Sequence, residues 1–392
     1  MSTEAARAPR IRAVLREGES VRPLELFFDL VFVLAFTQCT ALMADEPTWE
    51  GLAKGLLVLG VMWWAWVGYA WLTSVVDPEE GAVRLAIFAA MAALLVVALS
   101  IPEAFGDLAL LLAIAYGGVR GGQIALFVIA SRDDPGLRHS VFGLAISTAI
   151  GTGLLVAAAF ADHELQGALW ALALALDMGG PLIIDASGWR LAPRHFAERH
   201  GLILIIALGE SIVAIGVGAE HGVDAGVVTA AVLGIVIAAM QWWMYFDVVA
   251  LVSERRLVEA PEGLERNRMA RDSFSYLHFP MIAGIVLVAL GLKKTLEHVD
   301  EPLELVPAFA LLGGTALYSL AHVAFRWRNV HTLNTRRLGL AVLLLALLPL
   351  AVEIAALATA GIVAALLVAL VAVETRSYGE GRERLRREMA SH

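Results

Sequence analysis

Apolar positions run through this chain in stretches of roughly twenty, broken by short polar segments, and about twenty is what a helix needs to cross the hydrocarbon layer of a bilayer. Windows of that length predict helices over 24–43, 54–76, 82–101, 108–130, 141–160 and 165–184. A second set is predicted over 201–218, 224–252, 276–296, 304–325, 338–357 and 360–375. The final pair is joined only by "LATAGIV", with Gly361 as the turn. A membrane β-barrel would instead show segments of alternating polarity about ten residues long. The pattern predicts an all-α polytopic membrane helix bundle of about twelve transmembrane helices.

Charge orients these spans. With the N-terminus in the cytoplasm, all but four of the 29 Lys and Arg residues fall on the cytoplasmic side. Lys54, Lys293 and Lys294 lie outside, and Arg120 falls within a span. Cytoplasmic loops carry such an excess of basic residues, and one helix more or fewer midway would scramble it. The expectation is a multi-pass protein of the cell inner membrane with both termini cytoplasmic. Residues 1–20 lack the apolar core and cleavage site of a signal peptide and read as a mobile cytoplasmic arm. Residues 379–392 read as a charged cytoplasmic tail.

Between these ends lie a first six-helix half, 21–185, and a second, 186–378. Six spans each would insert both halves in the same direction, so a repeat would be parallel. The first helix reads "FFDLVFVLAFT" and the seventh "ALGESIVAIGV", each with a carboxylate ahead of an apolar run. Each follows an arginine, Arg22 or Arg199, and glycine pairs recur in "AYGGVRGG" and "LLGGTALY". A parallel repeat and shared apolar composition both account for these matches.

Composition closes off other classes. Hydrophobic residues make up 59% of the 392 positions and charged ones 17%, with a mean hydropathy of +0.74. A soluble fold would need many more surface charges. The single cysteine, Cys39, excludes an intramolecular disulfide and any CxxC site. "HFAERH" fits neither zinc pattern, H-E-x-x-H nor H-x-x-E-H, and the chain has no serine elbow, GxGxxG or P-loop. No catalytic residue, metal or cofactor is predicted, and no nucleic-acid partner. The expected partners are the lipid bilayer and a small cation or proton, with a homo-oligomer left open.

The charges inside the spans are the candidate chemistry. A charge near the centre of a membrane helix costs about 2.5–3.5 kcal/mol on insertion scales, so it normally faces the protein interior and finds a partner. Glu210, Asp177 and Arg120 come out near the mid-plane. An ion pair of Arg120 with Asp177 or Glu210 leaves one carboxylate over, to be protonated, solvated in a cavity or holding a cation. Arg22, Glu25 and Asp29 line one helical face, behind a Pro23 suited to the first turn. Glu25 either sits at headgroup level paired with Arg22 or joins an interior site. Asp29, among Phe27, Phe28, Leu30 and Val31, reads as an interior functional group.

His200 lies ten residues before Glu210 on roughly the same face. It either relays protons towards Glu210 and Ser211, or belongs with His195, Glu198 and Arg199 to a solvated lead-in. Glu353 is a further interior carboxylate, Asp247 is either another or reaches the cytoplasmic interface, and His322 reads as a hydrogen-bonded packing residue. Trp242, Trp243 and Tyr245 read as an interfacial belt. Trp63, Trp64 and Trp66 lie deeper, either packing or lining a cavity. "DMGGP" at 177–181 either breaks the sixth helix or kinks it at Pro181.

Two stretches, "RPLELFFDLVFVLA" and "ERHGLILIIALGESI", resemble the signatures of the bacterial low temperature requirement protein A family. "QWWMYFD" and "HFPMIAGIVLVALG" extend the resemblance along nearly the whole chain. The resemblance implies a multi-pass inner-membrane protein, with Arg22, Glu25, Asp29, Arg199, Gly209, Glu210 and Ser211 as signature positions. A more distant likeness is to potassium channels with an Arg-x-x-x-Phe-Ser-Asp first helix, although Phe28 replaces their serine and the register is one residue longer. The function expected is a transporter or channel-like protein for a small cation, proton or solute, with Asp29 and Glu210 as its ion or proton sites. The alternatives are a membrane-embedded enzyme acting on lipid and a non-catalytic structural or stress-response protein.

Overall fold

The computed structural model describes residues 16, 18–183, 188–219, 222 and 224–390, with side chains placed through Ser377. The arm expected over 1–20 thus lies outside the described residues except at 16 and 18–20, and positions 391–392 of the tail also lie outside them. The chain is all-α among the described residues. Helices α1 (Pro23–Asp45), α2 (Trp49–Val75), α3 (Gly81–Ser100), α4 (Ala109–Ala130), α5 (Pro135–Ala158) and α6 (His163–Ile183) form the first half. They are followed by α7 (Pro193–Gly218), α8 (Ala225–Phe246), α9 (Val249–Glu259), α10 (Leu264–Met269), α11 (His278–Glu297) and α12 (Leu305–Val330). The chain ends in two short helices, α13 (Thr335–Ala346) and α14 (Leu348–Ala351), and the long α15 (Ala356–Ala390).

Eleven helices among the described residues are long and apolar enough to cross a membrane. The protein is a multi-pass membrane protein. The uninterrupted helix expected over 338–357 is the exception, because it is split into α13 and α14. Pro349 opens α14 without an N–H to continue the ladder from α13. The turn falls at Val352–Ala355, leaving Gly361 inside α15. This broken segment still runs from one end of the bundle to the other. At one end Arg337 and Asn334 bond Glu374; at the other, Ala356 N–H donates to Glu301 O at 2.8 Å, in the α11–α12 turn. The sixth helix runs on through Pro181, so "DMGGP" does not interrupt α6, although Pro181 has no N–H to offer the Asp177 carbonyl one turn back.

Helix starts follow local chemistry. Proline occupies the first turn of α1, α5 and α7, where a missing N–H is harmless. Thr48, Asp134 and Asp224 cap α2, α5 and α8 by accepting a backbone N–H. Helix α11 is entered through a π-helical turn, Ala270–Tyr276. Helices α11 and α12 approach closely at Gly284 and Gly314, where a Cβ on Gly284 would sit 2.7 Å from the Gly314 carbonyl. Small residues permit that approach in a membrane, where packing rather than water drives helix association.

The pairings of the first half recur in the second. α1 packs on α3 as α7 does on α11, and α3 on α4 as α11 on α12. α4 meets α5 as α12 meets α13, and α2 meets α6 as α8 meets α15. The halves join where α1 packs along α7. Glu353, expected inside, is exposed beside the α14–α15 turn.

Candidate functional site

Helices α1 and α7 start at the same end of the bundle and run parallel. Asp29 lies six residues past Pro23 and Arg199 six past Pro193, so both sit about 9 Å inside their helix starts. Arg199 donates to Asp29 Oδ1 at 2.5 Å, to Glu25 Oε1 at 3.1 Å and to Thr73 Oγ1 at 3.0 Å. The Trp66 indole N–H also donates to Asp29 Oδ1, at 2.8 Å, and the Arg199 guanidinium lies 5.5 Å from the centroid of that ring. Glu25 receives His195 Nε2 at 2.7 Å, Arg16 at 3.3 Å and the Arg22 backbone N–H at 2.8 Å. Ser74 Oγ sits 3.1 Å from the far nitrogen of His195. Glu25, Asp29, His195 and Arg199 are all buried. Low dielectric strengthens each of these pairings and makes an unpaired charge there very costly.

This overturns three expectations. The Arg22 side chain reaches Asp77, not Glu25. His195, Arg199 and His200 are not a solvated lead-in; only Glu198 of that group faces outward, accepting from the Val21 N–H. Their amphipathic spacing was misleading because the face they share meets α1 and α2 rather than water. His200 is walled in by the rings of Trp63, Trp66, Phe196, Phe274 and His278. Its Nδ1 donates to the Phe196 carbonyl at 2.8 Å, and nothing in this wall bonds it towards Glu210.

Arg120 pairs with Asp177, at 3.0 and 3.1 Å. Thr148 lies 2.8 Å from Arg120 and 3.1 Å from Asp177 Oδ1, and Tyr116 donates to Oδ2 at 3.4 Å. This cluster joins α4, α5 and α6, and Arg120 also reaches the Trp64 carbonyl of α2 at 3.5 Å.

Glu210 is then the carboxylate left over. It is 2% exposed and accepts from Thr37 Oγ1 of α1 at 2.5 Å, with the Thr40 hydroxyl also beside it. No Lys, Arg or His nitrogen is within ion-pair distance of it among the described residues; Lys293 acts on it only from farther off. The neighbouring Ser211 hydroxyl is buried without a partner among the described residues. Gly209 is on the same turn, where an added Cβ would meet open space. Arg199 and Glu210 are therefore brought to one seam with Glu25 and Asp29, whereas Arg120 and Asp177 form a separate site.

Other assignments divide. Trp242 and Trp243 are exposed as an interfacial belt requires, but Tyr245 is buried and donates to His278 Nε2 at 2.8 Å. His322 bonds the Tyr318 carbonyl at 2.8 Å, as a packing residue would. Asp247 and His322 line a cavity of about 210 Å³ at the basic end, with Arg337 and Glu374. Trp63 and Trp66 are packed in the core, while Trp64 lines a smaller cavity. Thr37, Trp66, Thr73 and His195 were missed as site residues by sequence reasoning, since nothing local marks a threonine or tryptophan as the partner of an acid far along the chain.

Comparison with known proteins identifies the family. The family model for bacterial low temperature requirement A protein (LtrA) matches residues 20–372, a span that holds every residue of both clusters except Arg16. An uncharacterized protein of Rhizobium meliloti (strain 1021) is 30% identical over 307 residues, covering 75% of this chain and 74% of that protein. The chain belongs to the bacterial low temperature requirement A protein family.

Proposed function

We propose that the protein carries a proton or small cation across the membrane along the α1–α7 seam, with Glu210 as the group that takes it up and releases it. One observation carries this reading: Glu210 is the buried acid of the seam that rests on hydroxyls instead of a cation. A buried carboxylate without a cationic partner is tolerable only with a proton or a bound cation on it. Glu25 and Asp29, closed on Arg199, serve as the fixed end of the seam rather than as ion sites. The recurring helix pairings support two parallel halves, 21–185 and 186–378, meeting at this seam. The basic end of the bundle, which holds Arg16, Arg22, Arg132, Arg138, Arg190 and Arg194, faces the cytoplasm of an inner membrane by the positive-inside rule.

The test is flux in liposomes holding the purified full chain, read with a pH-sensitive dye and with Na⁺ and K⁺ gradients. Flux that Glu210→Gln abolishes and Asp29→Asn retains supports the reading. Absence of flux for all three ions, or equal flux through Glu210→Gln, overturns it. A structural reading has its own support in the closure of Arg199 on both carboxylates, which can register α1 against α7 without moving an ion. Under that reading, Glu210→Gln changes neither flux nor fold.

A further inference from the structure

A second cavity lies away from the seam, in the first half, and its chemistry is one-sided. It reaches from Arg271 at the basic end inward to Arg120, with about 50 Å³ of space for water-sized particles, and its walls include Trp64, Trp71, Trp189 and Gln123. That is room for several waters or one small ion. Three of the residues lining it carry a side-chain N–H that is buried without an acceptor among the described residues: Trp64 Nε1, Gln123 Nε2 and Arg120 Nε. The orientation of Gln123 is settled by chemistry, because its Oε1 accepts from Arg120 at 2.6 Å and so turns the amide nitrogen away. Gly68 makes the space: a Cβ there would collide with Gln123 and Arg120. Each unmet buried donor costs about 1–3 kcal/mol, and three in one small cavity call for an acceptor.

Both charged side chains that line the cavity are cations, Arg120 and Arg271, paired with Asp177 and Asp272 outside the lining. Cation ligands would be oxygen acceptors, and the open groups here are donors. Indole walls supply further positive ring edges.

The geometry points to a small monovalent anion of chloride or nitrate size bound in this cavity, held by the N–H groups of Trp64, Gln123 and Arg120. The assignment is independent of Glu210 and of whatever ion the seam moves.

Thermal unfolding of the full chain in detergent, titrated with sodium chloride, nitrate or gluconate at fixed ionic strength, tests it. Chloride or nitrate should raise the Tm along a saturating curve and gluconate should not. Trp64→Phe, which keeps the ring and removes only the N–H, and Gln123→Leu should each weaken apparent binding about tenfold. Glu210→Gln should titrate like the parent protein. If Gln123→Leu does not fold, Trp64→Phe decides alone. No saturable rise, or an unchanged midpoint in Trp64→Phe, overturns the site and leaves water as the occupant.

Discussion

Asp29 and Glu210 face each other's helices across one seam, and their neighbours differ in kind. Asp29 of α1 is met by Arg199 of α7 and by an indole N–H; Glu210 of α7 is met by the hydroxyl of Thr37 of α1. At the first position a guanidinium shared with Glu25 holds one oxygen of the acid, while Asp29 Oδ2 is buried without a partner among the described residues. At the second, a neutral donor accepts either state of the acid, since a hydroxyl can turn its proton towards a carboxylate or accept from a carboxylic acid. Burial alone therefore does not mark a working acid in a membrane; the identity of its partner does.

The largest effect should come from Arg199→Leu, which strands Asp29 without a cation and leaves Glu25 only Arg16 and His195. Removing one member of a buried ion pair costs about 3–5 kcal/mol, so the variant should unfold at much lower denaturant or fail to accumulate. Asp29→Asn removes one of two acids from Arg199 while keeping a side chain that can accept from Trp66. A loss of about 1–3 kcal/mol is expected from the weakened charge-assisted bond, visible as a lower Tm in detergent. Thr37→Val keeps shape and deletes the donor to Glu210, and should cost about 1 kcal/mol. Glu210→Gln should be the mildest of the four in stability, within about 0.5 kcal/mol, because the amide oxygen still accepts from Thr37 and no ion pair is lost. Should Glu210→Gln destabilise as much as Arg199→Leu, the contrast between the two ends of the seam collapses.

Much of the architecture could be read along the chain. Each of the first ten predicted spans overlaps a helix, because apolar length is what the bilayer demands of any crossing segment. The split at Pro349 is the departure: the apolar run in "AVLLLALLPLAVEIAA" is continuous, so hydropathy could not see a break made by a missing N–H. The site was half legible. One cation for two mid-membrane carboxylates left one acid over, and the structure shows it to be Glu210. The lock was visible only as an unexploited signal, the equal six-residue offset of Asp29 from Pro23 and of Arg199 from Pro193.

Composition and spacing alone were enough to make this chain a membrane helix bundle, since lipid imposes its terms segment by segment on local sequence. Which acid meets a guanidinium and which a hydroxyl was settled by the packing of α1 on α7, which joins groups 170 and more residues apart. Coulomb and hydrogen-bond energies act over a few ångströms in space, and distance along the chain carries no record of them.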